Sequence, residues 1–108
     1  MKKHILFVCS QNRLRSPTAE AIFAGHDAID VDSAGLNKGA EVPLSEDHMK
    51  WADLIIVMEK AHRNRLNRKF NSALAGKRVA VLDIPDEYEF MEPSLITLLR
   101  MRCSRYFS

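Results

Sequence analysis

Ile5-Leu6-Phe7-Val8-Cys9-Ser10-Gln11-Asn12-Arg13-Leu14-Arg15-Ser16-Pro17 passes from four apolar residues, through a polar loop, into a helix start. The apolar run is short enough to be a buried parallel strand. Ser16 reads as an N-cap, Pro17 as the first helical residue, and Glu20 suits the first turn. Cys9 therefore stands at the mouth of a strand–loop–helix unit. In such a loop the backbone N–H groups turn inward and the helix N-terminus adds partial positive charge, a geometry that binds a tetrahedral oxyanion. Arg15 can grip two oxygens of that anion with its planar fork. The same field stabilises a thiolate, so Cys9 is expected to be nucleophilic. The alternative is that Cys9 is a small buried hydrophobe at a strand end, the usual fate of a lone cysteine. Arg15 argues against it, since a cation facing such a loop wants an anion.

The pattern Cys-x5-Arg-Ser directly after the first strand resembles the low-molecular-weight protein tyrosine phosphatases. Asn12, Arg15, Ser16 and Pro17 match that family along with Cys9, and Thr18-Ala19-Glu20-Ala21 matches less strictly. The resemblance implies a phosphotyrosine phosphatase I-like fold and hydrolysis of a phosphomonoester, phosphotyrosine above all, through a phosphocysteine intermediate. It implies Cys9 as nucleophile and Arg15 as anion clamp. Ser10, Gln11, Asn12, Arg13, Leu14 and Ser16 would hold the phosphate.

The 108 residues suggest one domain spanning 1–108, and an apolar share of 46% is enough for a single core. No apolar run is long enough for a membrane span. Met1-Lys2-Lys3 before the apolar run is not followed by a signal-peptide core, because Gln11, Asn12, Arg13 and Arg15 cut it short. Cys9 and Cys103 make no disulfide framework. A cytoplasmic protein without membrane attachment is expected. The net charge of +2 gives no reason to expect a nucleic-acid partner.

Downstream, the helix runs to about Gly25 and Gly25-His26-Asp27 is a turn. Ile29-Asp30-Val31-Asp32-Ser33 alternates and reads as an edge strand. In the family a Ser at the end of this strand bonds the loop Asn; Ser33 and Asn12 match that pair, although Ser33 can equally be a plain strand-end turn residue. Residues 36–44 form a loop, much shorter than in the family. The family His that supports the phosphate loop lies in this region and has no match here. His48 reads instead as a surface residue of a helix from Ser45 to Ala52, capped by Ser45.

Leu54-Ile55-Ile56-Val57-Met58 is a central strand, and Met58-Glu59 looks like the family's Met-Asp turn. A helix follows from Lys60 to about Leu74, with Leu66, Phe70, Ala73 and Leu74 on one face and Arg63, Arg65, Arg68 and Lys69 on the other. A basic face of this kind is most simply solvated, the other reading being a dock for an anionic partner. Gly76 ends the helix. Arg78–Leu82 is the fourth strand.

Asp83-Ile84-Pro85-Asp86-Glu87-Tyr88 resembles the family's Asp-Pro-aromatic segment, whose Asp is the general acid. Asp86 matches that Asp, with Asp83 as competitor on reach, and Tyr88 matches the substrate-flanking aromatic. Glu87 stands where Pro is usual. The last helix starts near Pro93, with Leu95, Leu98, Leu99 and Tyr106 as its stripe and Cys103 as packing.

Alternating strands and helices predict a single-domain, three-layer α/β/α protein with a four-stranded parallel sheet. Cys9, Ser33, Glu59 and the Asp83–Asp86 loop all follow strands, so they converge at the edge where such folds bind ligands. The expected partners are a phosphotyrosine protein or small aryl phosphate, with phosphate or sulfate able to sit in the loop. No cofactor or metal is expected, since no His/Cys cluster has ligand spacing. Three alternatives stay open. One is a phosphocarrier phosphorylated on Cys9, which would need neither Arg15 nor Asp86. Another is a phosphotyrosine- or anion-binding module without turnover. Arsenate reduction ranks below both, because it needs further cysteines and only Cys103 remains.

Overall fold

The computed structural model describes residues 2–74 and 76–107. Met1, Ala75 and Ser108 of the expected 1–108 unit lie outside the described residues. Strand β1 (Lys3–Cys9) leads through the Cys9 loop into α1 (Arg15–Phe23). There follow β2 (Ile29–Gly35), α2 (Glu46–Trp51), β3 (Leu54–Val57), α3 (Lys60–Lys69), β4 (Arg78–Val81), α4 (Pro93–Cys103) and a 3-10 turn at Ser104–Tyr106. The four strands form one parallel sheet in the order β2-β1-β3-β4. The predicted α/β class, strand number and parallel pairing are all observed.

The two central strands explain their own composition. On β1, Ile5, Phe7 and Cys9 face a core completed by Ala19 and Phe23 of α1 and by Leu95, Leu99 and Cys103 of α4. Leu6 and Val8 face a second core with Met49 of α2 and Leu66 of α3. A strand buried on both faces has no polar positions to alternate with, so it reads as a continuous apolar run. Each such buried Leu or Ile contributes roughly 1.5–3 kcal/mol. Strand β2, at the edge, alternates only at its start, with Ile29 buried and Asp30 exposed, while Ser33, Ala34 and Gly35 at its end are all buried.

The direction in which strands are added to the sheet reverses about β1. The crossover from β1 to β2 goes to one side and the later strands lie on the other, so the topological switch point lies between β1 and β3. The loops after those two strands, Cys9–Leu14 and Met58–Glu59, meet there.

Four local expectations need correction. Helix α1 begins at Arg15 with Leu14 at the cap position and no side-chain cap. Ser16 does not cap it, because its hydroxyl is engaged with Cys9 and Asn12. Pro17 sits inside the first turn, where its missing N–H costs nothing. Helix α3 stops at Lys69, not near Leu74; Phe70 leaves helical geometry at φ −127°. Asn71 and Ser72, poor helix formers, follow in turns. Phe70 and Leu74 still bury themselves in the second core, so the apolar spacing was real although the helix was not. His48 is not a free surface residue: its side chain is 17% exposed. Its Nδ1 accepts the Ser45 N–H while its own N–H donates to Ser45 Oγ, which closes a capping box on α2.

Candidate active site

The loop after β1 is built backbone first. The carbonyls of Cys9, Ser10 and Gln11 accept hydrogen bonds from the N–H groups of Leu36, Asn37 and Glu41, each at 2.9 Å. Three consecutive carbonyls are thus turned out toward the 36–41 segment, which frees the other side of the loop for amides. The approach is so close that a Cβ on Gly35 would lie 2.8 Å from the Ser10 carbonyl oxygen and 2.9 Å from the Asn12 nitrogen. Glycine is therefore required at 35 for space, not for its φ.

Asn12 takes a left-handed conformation at φ 55°, which Asn tolerates better than most residues. This turn brings its N–H to Cys9 Sγ at 3.3 Å. Its side chain drops behind the loop, where Nδ2 donates to Ser16 Oγ at 3.0 Å and to Ser33 Oγ at 2.9 Å. The Ser33 hydroxyl hydrogen goes on to the Glu20 carboxylate. Toward a Cys9 thiolate, which has no hydrogen to give, Ser16 Oγ, 2.9 Å away and already accepting from Asn12, acts as the donor. Two donors therefore converge on the sulfur, an arrangement that stabilises negative charge there.

Arg15 is only 3% exposed. A buried guanidinium requires partners. Its Nη1 donates to Glu59 Oε2 and to the Ile84 carbonyl, each at 2.7 Å, and its Nε lies 3.7 Å from Asp86 Oδ1. Glu59, 40% exposed, follows β3, and Ile84 and Asp86 follow β4. One side chain at the start of α1 therefore ties together the segments that follow β3 and β4.

Over the sulfur lies a cavity of about 250 Å³, lined by Cys9 to Gln11, Arg13 to Arg15, and Asp86. Of the residues expected at the substrate, Cys9, Ser10, Gln11, Arg13, Leu14, Arg15 and Asp86 are brought together. Asn12 and Ser16 are buried behind the loop and line nothing. Ser33 stands behind them, as expected of a supporting residue. Tyr88 packs half-buried against the first core and is absent from the lining. Asp83 faces a different groove with Glu59, Lys60 and Pro85, and its carbonyl is taken by Arg102. Of the two aspartates, Asp86 alone lines the cavity with Cys9 and Arg15. Glu87 is exposed and outside the cavity.

The sequence pattern does not single out His62. It is 2% exposed, on the first turn of α3, with Nε2 2.9 Å from Ser10 Oγ and 3.6 Å from Glu59 Oε2. Burial above all, and then the Arg15 charge, push its pKa down to about 4, so the ring is neutral near pH 7. The one available signal was its place three residues after Glu59, at the N3 position of a helix following a buried strand. Burial alone pushes the Cys103 thiol up to about 12, in keeping with its expected packing role on α4. Among the described residues, no group of three or more His, Cys, Asp or Glu side chains is placed to hold a metal ion. Nor is any described helix long and apolar enough to cross a membrane.

The class is thus an α/β protein with a parallel sheet and a cysteine–arginine loop at its switch point. Residues 4–43 match the sequence model of the low molecular weight phosphotyrosine protein phosphatase family, which bears out the resemblance on the segment that carries the loop. No match was found among curated protein sequences. Solved structures extend the likeness in fold to the whole chain. The tyrosine phosphatase Wzb from Escherichia coli K30, in complex with phosphate, superposes with a TM-score of 0.78 at 22% identity, covering 98% of this chain and 96% of that one. The tyrosine phosphatase amsI of Erwinia amylovora gives 0.76 at 23% identity, covering 98% and 91%. The YwlE arginine phosphatase from Geobacillus stearothermophilus gives 0.72 at 23%, covering 96% and 92%.

Proposed function

We propose that the protein is a cysteine-dependent phosphomonoester hydrolase acting on phosphotyrosine, in a protein or a small aryl phosphate. The observation that carries this reading is one cavity lined by the Cys9 thiol, the Arg15 guanidinium and the Asp86 carboxyl. Cys9 attacks phosphorus in line with the departing oxygen. The loop amides and Arg15 bear the charge on the equatorial oxygens. Asp86 gives its proton to the leaving phenolate, and phosphocysteine forms. Asp86 then accepts a proton from water as the water oxygen bonds to phosphorus; the S–P bond breaks and Cys9 leaves as thiolate. Ser16 stabilises that thiolate by donating to it. Inorganic phosphate is the product, and the loop that holds the phosphoryl group suits it too; Wzb, similar in fold, was solved in complex with phosphate. A phosphocarrier on Cys9 would need no buried Arg15 and no Asp86 lining the same cavity, which disfavours that alternative. Two free thiols fit a reducing compartment, and we assign the protein to the cytoplasm.

The test is hydrolysis of an aryl phosphate by wild type, Cys9→Ser and Arg15→Ala. Loss of one oxyanion donor costs about 100- to 1,000-fold, and loss of the nucleophile more. Near-wild-type turnover by Cys9→Ser overturns the mechanism.

A further inference from the structure

The hydrogen-bond polarity around His62 is fixed by its surroundings. The Glu59 backbone N–H donates to His62 Nδ1 at 3.2 Å, so that nitrogen carries no hydrogen. In a neutral ring the hydrogen is then on Nε2. Two acceptors lie near it. Glu59 Oε2 at 3.6 Å is beyond hydrogen-bond distance, and Ser10 Oγ at 2.9 Å is within it. His62 therefore donates to Ser10. Ser10 Oγ is left with its own hydrogen and makes no other hydrogen bond among the described residues. Ser10 adjoins the nucleophile and lines the cavity over it.

We infer that the Ser10 hydroxyl is a side-chain donor to the bound phosphoryl group, and that His62 is the positioning residue that forces this polarity. The inference rests on the hydrolase reading of the site. The relay runs from the backbone at the start of α3, through the imidazole, to the hydroxyl, and so to an equatorial phosphoryl oxygen. Without His62 the hydroxyl can turn away; with it, the hydroxyl is preset as a donor before the anion arrives, so no reorganisation is needed on binding. The phosphoryl group carries its negative charge in the ground state as well as the transition state. A donor to it strengthens binding in both, and its loss falls on KM and phosphate affinity more than on kcat.

The experiment measures the Kd for inorganic phosphate, and kcat and KM for an aryl phosphate. The proteins are wild type, Ser10→Ala, Ser10→Thr, His62→Phe, His62→Gln and the Ser10→Ala/His62→Phe double variant. Ser10→Ala is expected to raise Kd and KM by about tenfold or more, the worth of a hydrogen bond to a charged group, with a much smaller change in kcat. Ser10→Thr, which keeps the hydroxyl, and His62→Gln, whose amide can still donate, are expected to restore most of the affinity. His62→Phe is expected to weaken binding in wild type but not further in Ser10→Ala, since the two act through one contact. Unchanged phosphate affinity in Ser10→Ala, or an additive His62→Phe effect, overturns the relay. Phosphate binding without hydrolysis by wild type overturns the hydrolase reading alone and leaves the relay to be judged by the Kd values.

Discussion

Acid should destabilise this protein through His62. In the unfolded chain the imidazole titrates at 6.5; in the folded protein it is held at about 4 by burial and by the Arg15 charge. Arg65 opposes protonation too, while Glu59 and Asp86 favour it. Between those two values the unfolded state binds the extra proton. The contribution is therefore fully present above pH 6.5 and is lost as pH falls toward 4. A shift of this size removes about 2 kcal/mol between pH 7 and about pH 5, and about 3 kcal/mol by pH 4, at 1.36 kcal/mol per pKa unit. For a domain of marginal stability that is a large fraction of the total. The assay is urea denaturation of wild type and His62→Gln across this range. The variant cannot titrate at this position, so its stability advantage or deficit against wild type should drift in its favour by about 2 kcal/mol from pH 7 to pH 5. Curves that stay parallel refute the assignment of a buried, neutral His62. Saturating phosphate, by neutralising Arg15, should raise the pKa of His62 and narrow the window.

Two further changes test the site from other directions. Gly35→Ala places a Cβ 2.6 Å from Ala40 Cβ and under 3 Å from two backbone atoms of the loop; we expect about 1–3 kcal/mol of destabilisation in urea together with weakened phosphate binding, and an unperturbed variant would contradict the close approach. Asp86→Asn should slow phosphotyrosine hydrolysis by about 100- to 10,000-fold and an activated aryl phosphate far less, whereas Asp83→Asn should show no such leaving-group dependence; the reverse pattern would exchange the two roles.

What was legible in the sequence follows from how far apart interacting groups lie along the chain. Leu54–Met58 and Ile5–Val8 read as central strands because burial on both faces leaves no choice of composition. The Cys9–Pro17 loop was legible because one contiguous segment supplies the sulfur, the cation and the helix end. Ser33 lies 21 residues from Asn12 and was reached only through the family resemblance. His62 lies 52 residues from Ser10, and beside Arg63, Asn64 and Arg65 it looks like one more polar helix residue. Its N3 position after Glu59 is the only local signal, and its partner becomes apparent only when β1 and β3 pair. Tyr88 is reached through the family resemblance alone, and its partial burial against the first core is not legible from its place two residues after Asp86.

The short 36–44 segment shows how a loop can be supported with few residues. Side-chain support needs a residue of the right type at the right reach, and losing the segment that carries it removes the support. Here the segment presents backbone N–H groups from Leu36, Asn37 and Glu41 to three successive carbonyls of the Cys9 loop, an arrangement that depends on the path of the chain and on Gly35 rather than on side-chain identity. The imidazole contact comes separately, from α3 across the switch point. Because one support is backbone and the other side chain, they are separable. Changes at Leu36 or Asn37 that keep the chain path should leave anion binding intact, while Gly35→Ala and His62→Phe should each weaken it by independent routes. Their effects should then add, in contrast to the non-additivity expected between His62 and Ser10. A strong coupling between positions 35 and 62 in phosphate affinity would mean that the loop is held by a single network, and that the two supports are not distinct.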